Sequence, residues 1–518
     1  MATQAVTQSS YDQVPYPSLP IRSTHPDHIA SIAAMFGMAP ASPDACRVLE
    51  IGCADGANLI PMAASLPNSQ FIGVDLSAAQ VALGQRVIDQ LSLKNVTLRQ
   101  LNVMDFGAEY GVFDYIIVYG VYSWAPHEVQ DKILDICSQQ LAPNGVAFIS
   151  YNTYPGWHMR GAVRNMLWYH TRQFEDVQTR ITQARALLHF LAEAAPKIGK
   201  DADQQAYSIA LDSEEKRIAK QSDSYMLHEH LEEYNEPLYF YQFAERIEKH
   251  DLQYVAEVEI SSMTPDVLPK DVAQTIGRLG SSVVATEQYL DFVRNRMFRQ
   301  SLLCHKGIAL ERTWGIDLLH KMHIASPLKP LSEKPSILSP LNERFRGPTG
   351  TVVSSSNPLN KAAIIYLSKI WPNAVKFDQL LREARDRSQS VASVEADAQM
   401  LGDTLLKSLV VDLIELHLYQ PRFVIEISER PLASVIARWQ ATYEERVTNQ
   451  RHEAIEVDGL MRAVLNYLDG QHDRAEIVRL LADILTQELE PENKDGKTLE
   501  QVLEAELHDI ARAALLVA

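Results

Sequence analysis

Apolar residues along this chain fall into short, dense runs separated by longer stretches in which they recur every three to four positions. Val48, Leu49 and Ile51 form one such run and lead into a turn of small residues, Gly52-Cys53-Ala54-Asp55-Gly56. A helix is predicted from about Ala57 to Leu66. Phe71-Ile72-Gly73-Val74-Asp75 is a second apolar run that ends on a carboxylate, and a helix from Ser77 to about Leu91 follows with Ser77 as its N-cap. Val96–Leu101 alternates apolar and polar residues, as a strand does. Phe113–Tyr119 is a fourth strand and Val146–Tyr151 a fifth, with a helix over His127–Leu141 and a turn at Leu141–Gly145 between them. Strands alternating with helices predict an α/β fold with a parallel, doubly wound sheet. Ligands of such sheets bind at the carboxyl ends of the strands, where the strand order reverses.

The first turn carries the chemistry. Gly52 and Gly56 let the backbone turn sharply and approach a ligand closely. Asp75 follows Gly52 by 23 positions (75 − 52), near the ~20-residue offset at which an acidic residue of a nucleoside-binding unit reaches ribose hydroxyls. A pyrophosphate is disfavoured, because Glu50 and Asp55 flank the turn and Ala54 replaces the middle glycine. Two carboxylates suit S-adenosylmethionine, whose ammonium and sulfonium both favour nearby negative charge. The Glu-x-Gly-Cys-Ala-x-Gly pattern resembles motif I of class I methyltransferases. That resemblance implies a cofactor site of Glu50, Gly52, Cys53, Asp55, Gly56 and Asn58, with Asp75 and Leu76 after the second strand. Asn102, Val103 and Asp105 follow the third strand, where class I enzymes place an acidic residue on the adenine amine, and Tyr119 and Gly120 lie at the end of the fourth.

The residues before the core, Tyr11 to Phe36, are rich in proline and aromatics and read as a lid that uses Tyr11, Tyr16 and His25. Thr24 is the expected N-cap of the helix there, with Pro26 in its first turn. Two aromatic runs, Tyr119–Trp124 and Ser150–His158, fall on the rim of the predicted pocket. Aromatic faces hold alkylammonium groups well, so Tyr119, Tyr122, Tyr151 and Asn152 are the candidate residues for positioning a nucleophilic amine. No carboxylate base stands out.

Beyond His158 the pattern is helical over Arg160–Phe174 and Val177–Ala195, charged over Lys197–Ser222, and helical again around His228-Glu229-His230. Two histidines two positions apart face opposite sides of a helix, so no metal site is expected. Phe243–Ile260 reads as a helix and then a strand, similar to the sixth strand of a class I sheet, and Arg299–Cys304 as the seventh. The chain divides into an arm (1–36), a methyltransferase core (37–160), a helical insertion (161–238), a middle region with the last strands (239–325), a proline- and serine-rich linker (326–357) and a C-terminal region (358–518). In the C-terminal region, helices over Pro358–Arg387 and Met400–Phe423 and strands at His417–Tyr419 and Phe423–Ile427 give a winged-helix-like order suited to docking a substrate or partner.

The chain has 518 residues and a formal net charge of −18. That charge argues against nucleic acid as a partner and is compatible with a lysine-bearing protein. Its longest apolar runs are too short to cross a bilayer, the N-terminus lacks signal-peptide order, and Cys46, Cys53, Cys137 and Cys304 are scattered. A cytoplasmic location is expected.

Four stretches together resemble a bacterial family: the Tyr11-Asp12…Pro15-Tyr16 and Thr24-His25-Pro26 opening, Glu50–Gly56, Ser150–Trp157, and His228–Leu231 with Pro237. The chain is similar to class I methyltransferases carrying a methyltransferase regulatory domain, of which the rickettsial protein lysine methyltransferases are members. The resemblance implies S-adenosylmethionine as cofactor, protein lysine ε-amines as acceptors, a homodimer, and a regulatory middle region. A small-molecule methyltransferase and a non-catalytic cofactor-binding scaffold are the alternative readings.

Overall fold

The computed structural model describes residues 18–421, 423–488 and 498–518. Its centre is a seven-stranded sheet of β1 (Arg47–Ile51), β2 (Gln70–Asp75), β3 (Val96–Gln100), β4 (Phe113–Val118), β5 (Leu141–Asn152), β6 (Leu252–Glu257) and β7 (Phe298–His305). The strand order is β3-β2-β1-β4-β5-β7-β6. β1 to β5 pair in parallel, whereas β7 runs antiparallel to both β5 and β6. The sheet is therefore mixed, not wholly parallel. After β6 the helices Lys270–Leu279 and Val283–Arg294 carry the chain back to the carboxyl edge, and β7 enters from there. The predicted turn at Leu141–Gly145 is absorbed into β5, with a register shift against β4 between Phe113 and Tyr115.

Both faces of the sheet are covered, which is why β1 and β4 read as nearly continuous apolar runs. Val48, Tyr115, Ile117 and Phe148 face one core cluster; Leu49, Ile116, Val118, Ile149 and Tyr151 face the other. The helices Leu59–Ser65 and Ala78–Gln90 follow β1 and β2, the latter capped by Ser77 as its sequence predicts. The helix Pro26–Met35 packs on the first face. Its N-cap is His25, whose Nδ1 accepts the Asp27 N–H, and not Thr24. Thr24 is occupied elsewhere, donating its hydroxyl to the Ile21 carbonyl at 2.8 Å.

Between β5 and β6 the chain leaves the sheet and forms the helices Trp157–Thr171, Val177–Ile198 and Ala202–Ile218, which share a small core of their own. His228 and His230 have different partners there: His228 bonds Glu232 at 3.0 Å, and His230 lies 3.7 Å from Glu214. A second unit follows β7. In it the strand Glu415–His417 pairs with His323–Ala325, about ninety residues earlier, and not with 423–427, which is not a strand.

The predicted linker is ordered. Lys329–Pro330, Glu343–Arg346 and Val352–Ser355 form an antiparallel sheet, and Leu328 and Phe345 pack under it on Ile365 and Leu413. A strand with a single inward apolar residue among prolines and serines has the composition of a linker. Residues 433–488 and 498–516 form a last unit around Ala437, Val464, Leu465 and Leu507. No helix among the described residues is long and apolar enough to cross a membrane.

Candidate active site

The loop from β1 is built by conformation as much as by side chains. Gly52, Ala54 and Gly56 all have positive φ (77°, 47° and 76°), so three of five consecutive residues lie in the left-handed region that favours glycine. The Gly52 and Cys53 N–H groups donate to the Val74 carbonyl at 2.8 and 3.2 Å, tying the loop to the end of β2. A Cβ on Gly52 would sit 2.3 Å from Val121 Cγ2. The loop after β1 thus presses on the loop after β4, and the order reversal between those strands is where the fold places ligands. Gly120, at the same mouth, has φ 69°, and among the described residues nothing lies within 4 Å of the position of a Cβ. Among the described residues, space is open above Gly120 and closed behind Gly52.

Asp75 holds this edge together. Its two carboxylate oxygens accept the Ala54 and Ser77 N–H groups, each at 2.8 Å. A carboxylate offers about four acceptor positions, so ribose hydroxyls and the two amides are compatible demands. Leu76 is exposed and Val103 half-buried. Asn102 is exposed and accepts the Met104 N–H at 3.0 Å, shaping the turn Val103–Asp105 that presents the exposed Asp105.

Glu50 is buried at 4% exposure, and its Oε2 has no hydrogen-bond partner among the described residues. Burial pushes its carboxyl up to about 8, opposed by the bond from Asn58 Nδ2 at 2.7 Å. A buried carboxylate oxygen without a donor among the described residues, at the mouth of a cofactor loop, fits the cationic amino acid end of S-adenosylmethionine. Asn58 Oδ1 accepts the Ile21 N–H at 2.8 Å, which anchors the N-terminal arm over the loop. His25 is buried in the same place and held neutral, its imidazole lowered to about 4 mainly by desolvation.

Several predicted site residues take other positions. Cys53 is buried, with its sulfur packed where a Cβ of Gly73 would fall, so only its backbone faces the loop. Asp55 caps its own turn, accepting the Ala57 N–H at 3.1 Å, and lines a cavity of about 380 Å³ shared with Arg86 and Trp439. Tyr122 and Tyr151 are core residues, not rim residues: they are 0% and 1% exposed. Their rings pack on Phe243, Tyr151 stacked at 4.1 Å and Tyr122 edge-on at 5.6 Å. Burial raises both phenols well above the usual tyrosine range. Trp157 is buried as well, while Tyr154 is half-buried. Tyr16, with Tyr11, lies outside the described residues.

Of the other residues predicted for the acceptor, Tyr119 is half-buried and Gly120 exposed, whereas Asn152 is buried at 5% exposure, and beside them stands a residue the sequence did not announce. Phe298, at the start of β7, pairs in register with Asn152 and meets the Tyr119 ring edge-on at 6.3 Å. Asn152 Nδ2 donates to Asn235 Oδ1 at 3.2 Å and its backbone N–H to Ser123 Oγ at 2.9 Å. Finding Phe298 required the register of an antiparallel strand almost 150 residues downstream. No group of three or more His, Cys, Asp or Glu side chains able to hold a metal is present among the described residues.

Residues 49–147 match the family model of a methyltransferase domain, and residues 222–305 that of a predicted methyltransferase regulatory domain. Residues 429–517 match the PKMT C-terminal winged helix domain. That unit lies C-terminal to the 358–427 stretch whose pattern suggests a winged helix. There the strand Glu415–His417 finds its partner far upstream, and the matched unit contains the hairpin Arg446–Thr448 and Ala454–Glu456. A protein of Rickettsia prowazekii is 34% identical over 481 residues, covering 91% of this chain and 85% of that one. A second protein of that organism is 41% identical over 240 residues, 46% of this chain and 94% of its own. The structure of PKMT2 from Rickettsia typhi in complex with AdoHcy matches with a TM-score of 0.87 at 31% identity, covering 97% of this chain and 100% of that one. Loop, acidic edge, sheet order and full-length likeness agree: this chain belongs to the class I S-adenosylmethionine-dependent methyltransferases that carry a methyltransferase regulatory domain and a PKMT-type C-terminal winged helix.

Proposed function

We propose that the chain methylates lysine ε-amines of a protein. The observation that carries this reading is the likeness to PKMT2 over 97% of the chain, including the regulatory and winged-helix regions that a small-molecule enzyme does not require. Bound S-adenosylmethionine supplies a methyl group activated on a sulfonium. In this reading Gly52, Glu50, Asn58, Asp75, Leu76, Val103 and Asp105 hold the cofactor, and Tyr119, Asn152 and Phe298 line the approach of the amine. The methyl group would pass to the amine's lone pair, the electron pair of the broken carbon–sulfur bond would stay with sulfur, and the part of Tyr119, Asn152 and Phe298 would be to hold the amine for that transfer.

A free lysine has a pKa of about 10.4, so the acceptor has to shed a proton before it attacks. An aromatic, half-buried mouth favours the neutral amine by desolvation and orients it, which by itself supplies much of the rate enhancement of such a transfer. In this reading Asn152, whose Nδ2 donates to Asn235, orients the amine. Homodimerisation fits the exposed Tyr169, Phe190, Ile198 and Ile209 on the helical insertion, each more than 60% exposed. Sedimentation is expected to give twice the monomer mass, and a monomer at micromolar concentration contradicts the pairing.

The test of the acceptor is incubation with methyl-labelled S-adenosylmethionine and a cell lysate, followed by separation of protein from small molecules. Label in discrete protein bands is expected. Label confined to small molecules contradicts the reading.

A further inference from the structure

A hairpin turn of the winged-helix unit reaches the cofactor loop. His452 Nε2 donates to Asn58 Oδ1 at 2.8 Å, across 394 residues of chain. The Asn58 amide thereby spans two units: its oxygen is shared by the arm and by His452, and its nitrogen donates to Glu50. The His452 and His25 rings lie 5.5 Å apart, and both are buried. Desolvation keeps His452 neutral, so one ring nitrogen carries the proton that Asn58 accepts.

The turn is constructed to present this side chain. His452 has φ 59°, a left-handed conformation that a non-glycine residue adopts only where its surroundings impose it. Asn449 imposes it: its Oδ1 accepts the Arg451 and Glu453 N–H groups, each at 2.9 Å, and its Nδ2 donates to the Ala513 carbonyl at 2.9 Å. Arg451, with its side chain 4% exposed, pairs with Glu415 at 2.9 Å and lies over the Trp371 ring. Arg22 of the arm bridges Glu415 and Glu453 from the other side. Three units of the chain close around one hydrogen bond to the cofactor loop.

We propose that His452 is a positioning residue of the cofactor site, supplied by the winged-helix unit. Its bond sets the Asn58 amide, and Asn58 in turn sets the Glu50 carboxylate that meets the cationic end of the cofactor. Cofactor binding and docking of the C-terminal unit then reinforce each other, since linkage is reciprocal. The C-terminal unit completes the cofactor site as well as offering a surface to a substrate.

The proposal rests on the cofactor site described above, and titration calorimetry of the full chain with S-adenosylhomocysteine separates the two claims. His452→Ala is expected to weaken binding about tenfold, the scale of one hydrogen bond to a buried polar network. His452→Gln, which retains an amide donor, is expected to restore most of that affinity. The KM for S-adenosylmethionine should rise by the same factor with kcat little changed. A lower melting temperature with unchanged affinity overturns the proposal, because a merely structural role does exactly that and no more. Should His452→Ala fail to fold, hydrogen exchange on the unaltered chain decides. Slower exchange over 446–457 when S-adenosylhomocysteine saturates the protein is expected, and unchanged exchange there overturns it. Absence of binding by the unaltered chain contradicts the cofactor site itself and this proposal with it.

Discussion

At the scale of single residues, Glu50 carries a strongly shifted carboxyl at the cofactor loop. Its folded carboxyl sits near 8 because it is buried beside Asp75 and Asp55, whereas in the unfolded chain it titrates near ~4.3. Between those values the folded state holds a proton that the unfolded state has released. Its contribution to stability is therefore greatest below the unfolded value and is lost as pH rises towards 8. Glu50→Gln removes the ionisation while keeping the Asn58 bond. Thermal melts of this variant should lose less stability between about pH 5 and 8, and calorimetry should show cofactor affinity reduced at least about tenfold. Undiminished affinity would contradict the role of Glu50. The loop that follows this residue was legible in the sequence because it is encoded locally, by spacing alone. Tyr122 and Tyr151 misled because aromatic content does not state which way a ring points. Strand alternation does part of that work: Tyr151 and Asn152 are neighbours and so face opposite sides. Tyr122, however, is buried by Phe243, a contact no local pattern reveals.

At the scale of elements, β6 and β7 are pinned by buried charge. Arg299, fully buried, bonds Glu257 at 2.7 Å, Glu287 at 3.0 Å and Asp291 at 2.8 Å, and lies 3.9 Å over the Phe240 ring. The cluster joins the last two strands to the helix Val283–Arg294, within the matched regulatory region. Removing one partner of such a group strands the others without compensation, at a cost of roughly 3–5 kcal/mol. Arg299→Ala is thus expected to lose about that much in urea unfolding, while a loss below about 1 kcal/mol would show the cluster to be unimportant. The seven strands were legible because apolar runs and alternation are local. The direction of β7 was not, since antiparallel entry depends on where two intervening helices deliver the chain. The 326–357 sheet was hidden for a related reason: its core needs Ile365 and Leu413 from later elements.

At the scale of the whole molecule, the arm, the second unit after β7 and the winged helix converge on the face of the sheet that carries the cofactor loop. Asp27 of the arm's helix bonds His417 of the second unit at 2.6 Å, and the His417 imidazole is pushed up to about 9, against its burial, by Asp27 and Glu415. The resemblance to a methyltransferase with a regulatory domain was readable because its motifs are contiguous. The return of the C-terminal unit to Asn58 was not, since nothing near His452 in the chain names its partner. The proposed activity is methyl transfer to protein lysine through this cofactor site. It is tested most directly by incubating wild-type protein and Asp75→Ala with deuterated-methyl S-adenosylmethionine and lysate protein, then mapping the label by peptide mass spectrometry. Labelled lysine side chains with the wild type, and their loss with Asp75→Ala together with cofactor affinity, are predicted. Label on other side chains, or none from wild-type protein saturated with cofactor, would contradict the account.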